Sequence, residues 1–347
     1  MTLREVAKAA GVSRTTVSLV INNVKGSRVS QSTKKRVLGV IRKLDYNPHM
    51  IAKRLALGKT NSIGLYIPFT SPVFRNYTII ETVGGIQDVL NRNDYDLVLF
   101  SGSPNLSKER PIDQIVKQNT LDGLIIVNTR YTTQHFVNRY MKNLTERNFN
   151  FVVLHYYWGN AKINYIGVDY EDDAFKSVSH LVDLGHKDIA LLTGPSKALI
   201  TSKIIKGYKR AMHDNQIIRP NYIIEDAEYD YQKAYAKTQS IIRKNPSITA
   251  FFVAGYEMAP GCLKGIKDLG LNVPKDVSII CYIDNEMMSF LDPPLTAVRI
   301  PYYDIGKKAA ELALRTVGDK KRFIFETELV VRGSTARPQG RGSGLEL

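Results

Sequence analysis

The 347-residue sequence contains two cysteines and one tryptophan, and no apolar run approaches the roughly 18–20 residues that a membrane-spanning helix needs. Each scarcity excludes something. Cys262 and Cys281 stand outside any CxxC or metal-like spacing, so the sequence shows neither a zinc site nor a disulfide framework. Two lone thiols fit a reducing compartment. The opening residues, MTLREVAKAAGVSRTT, lack the long apolar stretch of a secretory signal, so a cytoplasmic location is expected. The six histidines form no HxH or HExxH spacing, and no GxSxG or GxxxxGK[ST] segment occurs. No converging set of titratable groups marks an enzyme, and no cofactor or metal is expected. Three remaining features have plain structural readings. Gly84-Gly85 suits close helix packing, His180 and His186 read as a surface or capping pair, and Glu171-Asp172-Asp173 suits the positive end of a helix dipole.

Acidic residues are what the first sixty positions lack. They hold 13 Lys and Arg against only Glu5 and Asp45, an excess of 11 within the chain's formal net charge of +15. The remainder is nearly balanced. A compact basic module implies a polyanionic partner, either nucleic acid or an anionic membrane surface.

The pattern inside this module favours DNA. Thr2 and Glu5 have capping-box spacing, and Val6, Ala7 and Ala10 form a small apolar face. Gly11 sits where a tight turn needs a permissive backbone. Ser13 is an N-cap for a second helix, which buries Val17, Val20 and Ile21. A small residue four positions before the turn glycine and a valine six after it allow two helices to cross closely. That is the helix-turn-helix arrangement, whose second helix enters the major groove. Its outward residues are Arg14, Thr15, Thr16, Ser18, Leu19 and Asn22. Thr2, Leu3 and Ser13, at the helix starts, complete the expected contact set. A third helix follows Ser30, with Val37, Val40, Ile41 and Leu44 as its core stripe. Lys34, Lys35, Arg36, Arg42 and Lys43 lie on its other faces, where one or two are expected to touch phosphates.

Pro48 suits the first turn of a further short helix. The order TLREVAKAAGVSRTTVS, VSQSTKKRV, LDYNPHMIAKRLA, KTNSIGLYIP resembles the lactose-repressor family of bacterial regulators. The resemblance implies that the proline-led segment is a hinge helix, which pairs with that of a second subunit in the minor groove. There the leucine of its A-x-x-L pattern wedges between base pairs. Here the pattern is Ala52-Lys53-Arg54-Leu55, which assigns the wedge to Leu55 and adds Asn47, His49, Ala52 and Lys53 to the DNA-binding set. Two positions depart from the family. Leu19 stands where an arginine is usual, and His49 where an asparagine is usual. Arginine reads guanine through two hydrogen bonds and leucine cannot, so the operator preference is expected to differ.

Beyond residue 61, short apolar runs alternate with helical stretches. The runs include 63–67, 97–100, 124–127, 151–154, 189–192, 250–253 and 277–282. Such β-rich runs indicate parallel α/β sheets, whose ligands sit beyond the carboxyl ends of the strands. The resemblance continues through Gly167-Val168-Asp169-Tyr170, Leu184-Gly185-His186, Pro293-Pro294-Leu295-Thr296 and Glu328-Leu329-Val330-Val331-Arg332-Gly333. It implies a periplasmic-binding-protein-like core of two parallel-sheet α/β subdomains with three crossovers and an effector cleft between them.

The expected organisation is a helix-turn-helix domain over 1–46, a hinge over 47–60, a core over 61–338 and a disordered tail over 339–347. Within the core, the N-subdomain is expected near 61–157 and 285–317, and the C-subdomain near 158–284 and 318–338. The cleft departs from sugar- and purine-binding relatives. Ser202 replaces an arginine, Gly255-Tyr256 replaces Asn-Asp, and Ile283-Asp284 replaces Asp-Asp. The expected effector-binding residues are Phe69, Phe74, His155, Ser202, Tyr229, Tyr256 and Asp284. They predict either an effector that is not an ordinary sugar held in the family manner or a partly closed cleft that binds nothing. Val168–Glu171 and Tyr303–Gly306 resemble the catabolite control subgroup. However, Glu311 stands where that subgroup has an arginine that docks a phosphorylated carrier protein. The sequence therefore predicts a homodimeric repressor with three partners: operator DNA, a second copy of itself and an unidentified small molecule.

Overall fold

The structure is a computed structural model that describes residues 2–21, 27–45, 60–68, 73–101, 112–117, 121–129, 132–147, 149–155, 163–217, 223–315 and 320–339. The expected hinge helix, the tail beyond 339, and Asn22, Asn47, His49, Ala52, Lys53, Leu55 and Phe69 lie outside the described residues. The chain divides into two compact units, Met1–Asn61 and Ser62–Leu347. No helix among the described residues is long and apolar enough to cross a membrane.

Among its described residues the first unit holds three helices, α1 (Leu3–Ala10), α2 (Arg14–Ile21) and α3 (Gln31–Lys43). Local chemistry sets their ends. The Thr2 amide donates to the Glu5 carboxylate at 2.8 Å and the Glu5 amide to the Thr2 hydroxyl at 3.4 Å, which closes the capping box. Gly11 takes the left-handed conformation, φ 63°, and ends α1. The Ser13 hydroxyl accepts from the Thr16 amide at 3.0 Å, and Ser30 caps α3 by accepting from Thr33 at 3.2 Å. Val6, Ala7, Ala10, Val17, Val20 and Val37 form the buried centre shared by the three helices.

The second unit contains two six-stranded sheets. In chain order its elements are β1 (Ser62–Ile67), α4 (Tyr77–Arg92), β2 (Asp96–Ser101), α5 (Ile112–Lys117), β3 (Gly123–Val127), α6 (Gln134–Glu146), β4 (Phe151–Leu154) and β5 (Asn164–Val168). Then come α7 (Tyr170–Asp183), β6 (Ile189–Thr193), α8 (Leu199–Asp214), β7 (Ile224–Asp226), α9 (Tyr231–Lys244), β8 (Ala250–Val253), α10 (Ala259–Lys267) and β9 (Ser278–Tyr282). The last are α11 (Glu286–Phe290), β10 (Thr296–Arg299), α12 (Tyr302–Ala313), β11 (Arg322–Phe325) and β12 (Glu328–Val330). One sheet runs β11-β5-β4-β3-β1-β2 and the other β12-β10-β9-β8-β6-β7. Every pairing is parallel except β10 with β12. β1, β3, β4, β6, β8 and β9 are buried at every position, which explains their unbroken apolar runs.

The chain passes between the sheets three times: after β5, after β10 and between β11 and β12. This corrects the expected subdomain limits. Residues 164–168 and 322–325 belong to the first sheet and 296–299 to the second, each opposite to expectation. An apolar run does not carry its pairing partner within itself, so a crossover between two similar strands leaves no local mark.

Glycine sets the closest helix contact. A Cβ on Gly85 of α4 would overlap the Tyr303 carbonyl oxygen, and one on Gly306 of α12 would overlap that of Thr82. Gly84-Gly85 is thus a close-packing site. His186 is the second correction. It is buried, with Nδ1 2.9 Å from the Thr249 hydroxyl and Nε2 2.9 Å from the Ala336 carbonyl. It ties the segment after β12 to the second sheet, while half-buried His180 faces Thr335 at 3.5 Å.

Candidate functional site

In the first unit, Val17 and Val20 turn inward, so the opposite face of α2 is left toward solvent. Ser13, Arg14 and Thr15 are exposed, and Thr16, Ser18 and Leu19 are half-buried. Thr2 is exposed, with its hydroxyl used in the cap, and Leu3 packs against the helical core. The face therefore combines one guanidinium with short hydroxyl side chains on a helix whose opposite side is locked. That suits groove insertion.

In the second unit, the carboxyl ends of β3, β4, β8 and β9 meet the N-termini of α4 and α12 around a pocket. Its wall includes Asn76, Thr78, Thr82, Asn128, Thr129, His155, Tyr256, Ile283 and Tyr302. His155 follows β4 with φ 59° and Ile283 follows β9 with φ 83°. Positive φ is costly for a side-chain-bearing residue, and for β-branched Ile283 it is a marked outlier. Both lie where the strand ends turn around the pocket.

His155 is held by its surroundings. Its Nδ1 lies 2.9 Å from the Tyr170 hydroxyl and its ring packs edge-on to Tyr302 at 5.6 Å. The Asn128 side chain donates to the His155 carbonyl at 3.0 Å and accepts from the Tyr140 hydroxyl at 3.1 Å. Burial pushes the imidazole pKa down to about 4, so it is neutral near pH 7. The folded pKa lies below the ordinary 6.5, so this stabilising contribution is complete above 6.5 and is lost as pH falls toward 4. Linkage gives about 3 kcal/mol for the whole shift. His155→Gln is expected to flatten the fall in stability over that window, as read by urea midpoints at successive pH values. An unchanged pH profile would refute this.

A second buried network lies alongside. Tyr282 donates to the Asp173 carboxylate at 2.9 Å, and the Thr327 hydroxyl donates to its other oxygen. Burial raises the Asp173 pKa to about 6, against the lowering effect of these two bonds. Of the three acids opening α7, Asp173 thus turns inward to join α7, β9 and the β11–β12 crossover. The dipole accounts only for the outward Glu171 and Asp172, which pair with Lys203, Lys176 and Arg210.

Of the expected cleft residues, His155 and Tyr256 line the pocket. Tyr229, φ 57°, is buried with its ring over Gly194 and Gly255, at the ends of β6 and β8. Phe74 is 63% exposed, and Ser202 is exposed with its hydroxyl donating to the Leu199 carbonyl at 2.8 Å. The Asp284 carboxylate is taken by Arg332 through two 2.8 Å bonds and by Arg299 at 3.1 and 3.3 Å. Sequence reasoning missed Asn128 and Thr129, although the first residues past run 124–127 point to them, and it placed Ile283 at the cleft only as a departure from relatives. Asn76, Thr78 and Tyr302 carried no such signal, because helix N-termini reach the pocket only through the tertiary fold. No group of three metal-ligating side chains occurs among the described residues.

Comparison with known proteins agrees with this geometry. Residues 2–49 match a family profile described as bacterial regulatory proteins, lacI family, and residues 178–335 match a periplasmic binding protein-like domain. The chain is 33% identical over 314 residues to catabolite control protein A of Priestia megaterium, covering 90% of this chain and 91% of the relative. It is 28% identical to the HTH-type transcriptional repressor PurR of Vibrio parahaemolyticus, covering 97% and 99%. A crystal structure of the Lac repressor dimer bound to operator and the anti-inducer ONPF superposes with TM-score 0.83 at 26% identity, covering 97% and 99%.

Proposed function

Because the chain belongs to the LacI family of DNA-binding transcription regulators, we propose that it is a repressor that binds a pseudo-palindromic operator as a homodimer. A small molecule in the cleft of the second unit controls it. The observation that carries this reading is the α2 face, where Val17 locks one side inward and Arg14 and Thr15 are presented to solvent. The repressor relatives support repression, and the operator-bound Lac repressor dimer supports a two-fold arrangement on DNA. Operator binding requires a cytoplasmic site of action. Phosphate contacts would supply salt-sensitive affinity, and the α2 face and Leu55 would supply selectivity. The effector must bind one arrangement of the subdomains better than the other, since equal affinity shifts nothing.

The effector is not an ordinary monosaccharide bound as in sugar-binding relatives. The Asp284 carboxylate is satisfied by two arginines and Ser202 faces solvent, so neither offers a sugar the charged partner found there in such relatives. Tight calorimetric binding of a simple hexose would overturn this. Glu311, paired with Lys308 at 2.9 Å, likewise offers a carboxylate where a phosphorylated protein partner would need a cation.

The operator reading is tested by selecting bound sequences from a random duplex pool and measuring affinity by gel shift. Arg14→Ala is expected to weaken selected DNA about 10- to 100-fold, as for a lost specific base contact. Leu55→Ala should reduce DNA bending as well as affinity. If the parent prefers no sequence and both variants behave like it, the reading is wrong.

A further inference from the structure

The two subdomains of the second unit touch across the cleft through the chain's own groups. Tyr256, just past β8 of the second sheet, reaches to the start of α4 on the first. Its hydroxyl accepts from the Tyr77 amide at 3.1 Å, and the two rings meet edge-on at 6.2 Å and 71°. The amides of a first helical turn have no partner within the helix. Asn76 caps the Thr78 amide, and Tyr256 takes the one before it. Tyr77 returns the contact, with its phenol within electrostatic reach of Asp284, Arg299 and Glu286 of the second subdomain. On the other side, the Leu199 amide that opens α8 donates to the Thr132 carbonyl ahead of α6, at 3.4 Å. The Leu199 side chain packs against both apolar cores.

We propose that Tyr256 is a built-in latch across the cleft, which favours the closed arrangement from within the chain and which a cleft ligand must displace. The inference rests on the reading that this cleft is the regulatory site. The geometry makes the displacement specific. Tyr256 forms part of the pocket wall, so a ligand seated between Asn76 and Tyr256 competes for the Tyr77 amide. A ligand group that accepts a hydrogen bond, such as a hydroxyl or carbonyl oxygen, replaces the phenol there, and an apolar group leaves the amide unpaired. The ligand class is therefore a small acceptor-bearing molecule. Its binding energy is reduced by the cost of breaking the latch.

The test uses the full-length protein with spin labels on cysteines introduced at exposed Arg139 of α6 and Lys206 of α8, one per subdomain. Both native cysteines are buried, which keeps labelling selective. With no small molecule added, the distance distribution is expected to be dominated by a short component. Tyr256→Phe loses the hydroxyl that accepts from the Tyr77 amide and is expected to lower the closed-to-open ratio about fivefold. Tyr256→Ala, which also loses the ring contact, should lower it further. If both variants reproduce the parent distribution, the latch is refuted. Gel shifts on the same variants separate the two ideas. A changed distribution with changed DNA affinity supports both. A changed distribution with unchanged DNA affinity supports the latch and overturns the cleft as regulator.

Discussion

Asp284→Ala is expected to destabilise the second unit by about 3–5 kcal/mol, the range for removing one partner of a buried ion pair. The Asp284 side chain is 5% exposed, and its carboxylate faces the Arg332 guanidinium through two parallel 2.8 Å bonds. Arg332, at 16% exposed, also donates to the Leu295 carbonyl, so it has little freedom to turn outward to water. Without the carboxylate, that positive charge is left in a poorly solvated place. Arg299 is different. It is 52% exposed and also pairs with Glu328, so Arg299→Ala should cost less than about 1 kcal/mol. Asp284 follows β9, Arg299 ends β10 and Arg332 follows β12, so the network draws together chain segments beside two crossovers. Urea unfolding of the two single variants checks the asymmetry. Equal losses, or a loss below 1 kcal/mol for Asp284→Ala, would refute it. A double change of Asp284→Ala with Arg332→Met should recover much of the stability, because it removes the orphaned charge.

The glycine pair in α4 should give the next largest effect, with opposite signs at adjacent residues. Gly85→Ala places a methyl group against the Tyr303 carbonyl and 2.9 Å from the Lys307 amide. Both obstacles are backbone, so no side chain can rotate away and the helices must separate. The cost belongs at the upper end of the usual 1–3 kcal/mol for overpacking. Gly84→Ala meets only the Tyr303 ring edge at 3.7 Å, an ordinary contact. There the helix-propensity gain of about 1 kcal/mol should survive, leaving the protein more stable. Thermal unfolding of both variants decides it, and two shifts of the same sign would contradict the crossing geometry.

What was legible in the sequence was what is local. The capping box of Thr2 and Glu5, the left-handed turn at Gly11 and the Ser13 and Ser30 caps act over three or four residues, and the structure shows each one. Six of the seven apolar runs lie in strands that are buried at every position, where burial on both faces imprints the run itself, while the run 97–100 lies in β2, whose positions are half-buried or exposed. The short strands β7, β11 and β12 carry weaker runs, and every position in them is half-buried or exposed.

The cleft was only partly legible. His155 and Tyr256 were expected there because the family resemblance places their positions in the cleft. The same resemblance placed Asp284 there, yet two arginines distant in sequence take its carboxylate. His186 read as a surface residue because its partners, Thr249, Ser278 and Ala336, come from three separate segments.

The basic helical head, its capped helix-turn-helix and the alternation of strands and helices that makes the core are all written in local sequence. Charge, caps and apolar periodicity are properties of neighbouring residues. Where the chain crosses between sheets, which strand-end groups remain for a ligand, and the meeting of Tyr256 with the Tyr77 amide across the cleft follow from folding alone. Those outcomes depend on pairings between residues up to 179 positions apart, and no short stretch of sequence carries them.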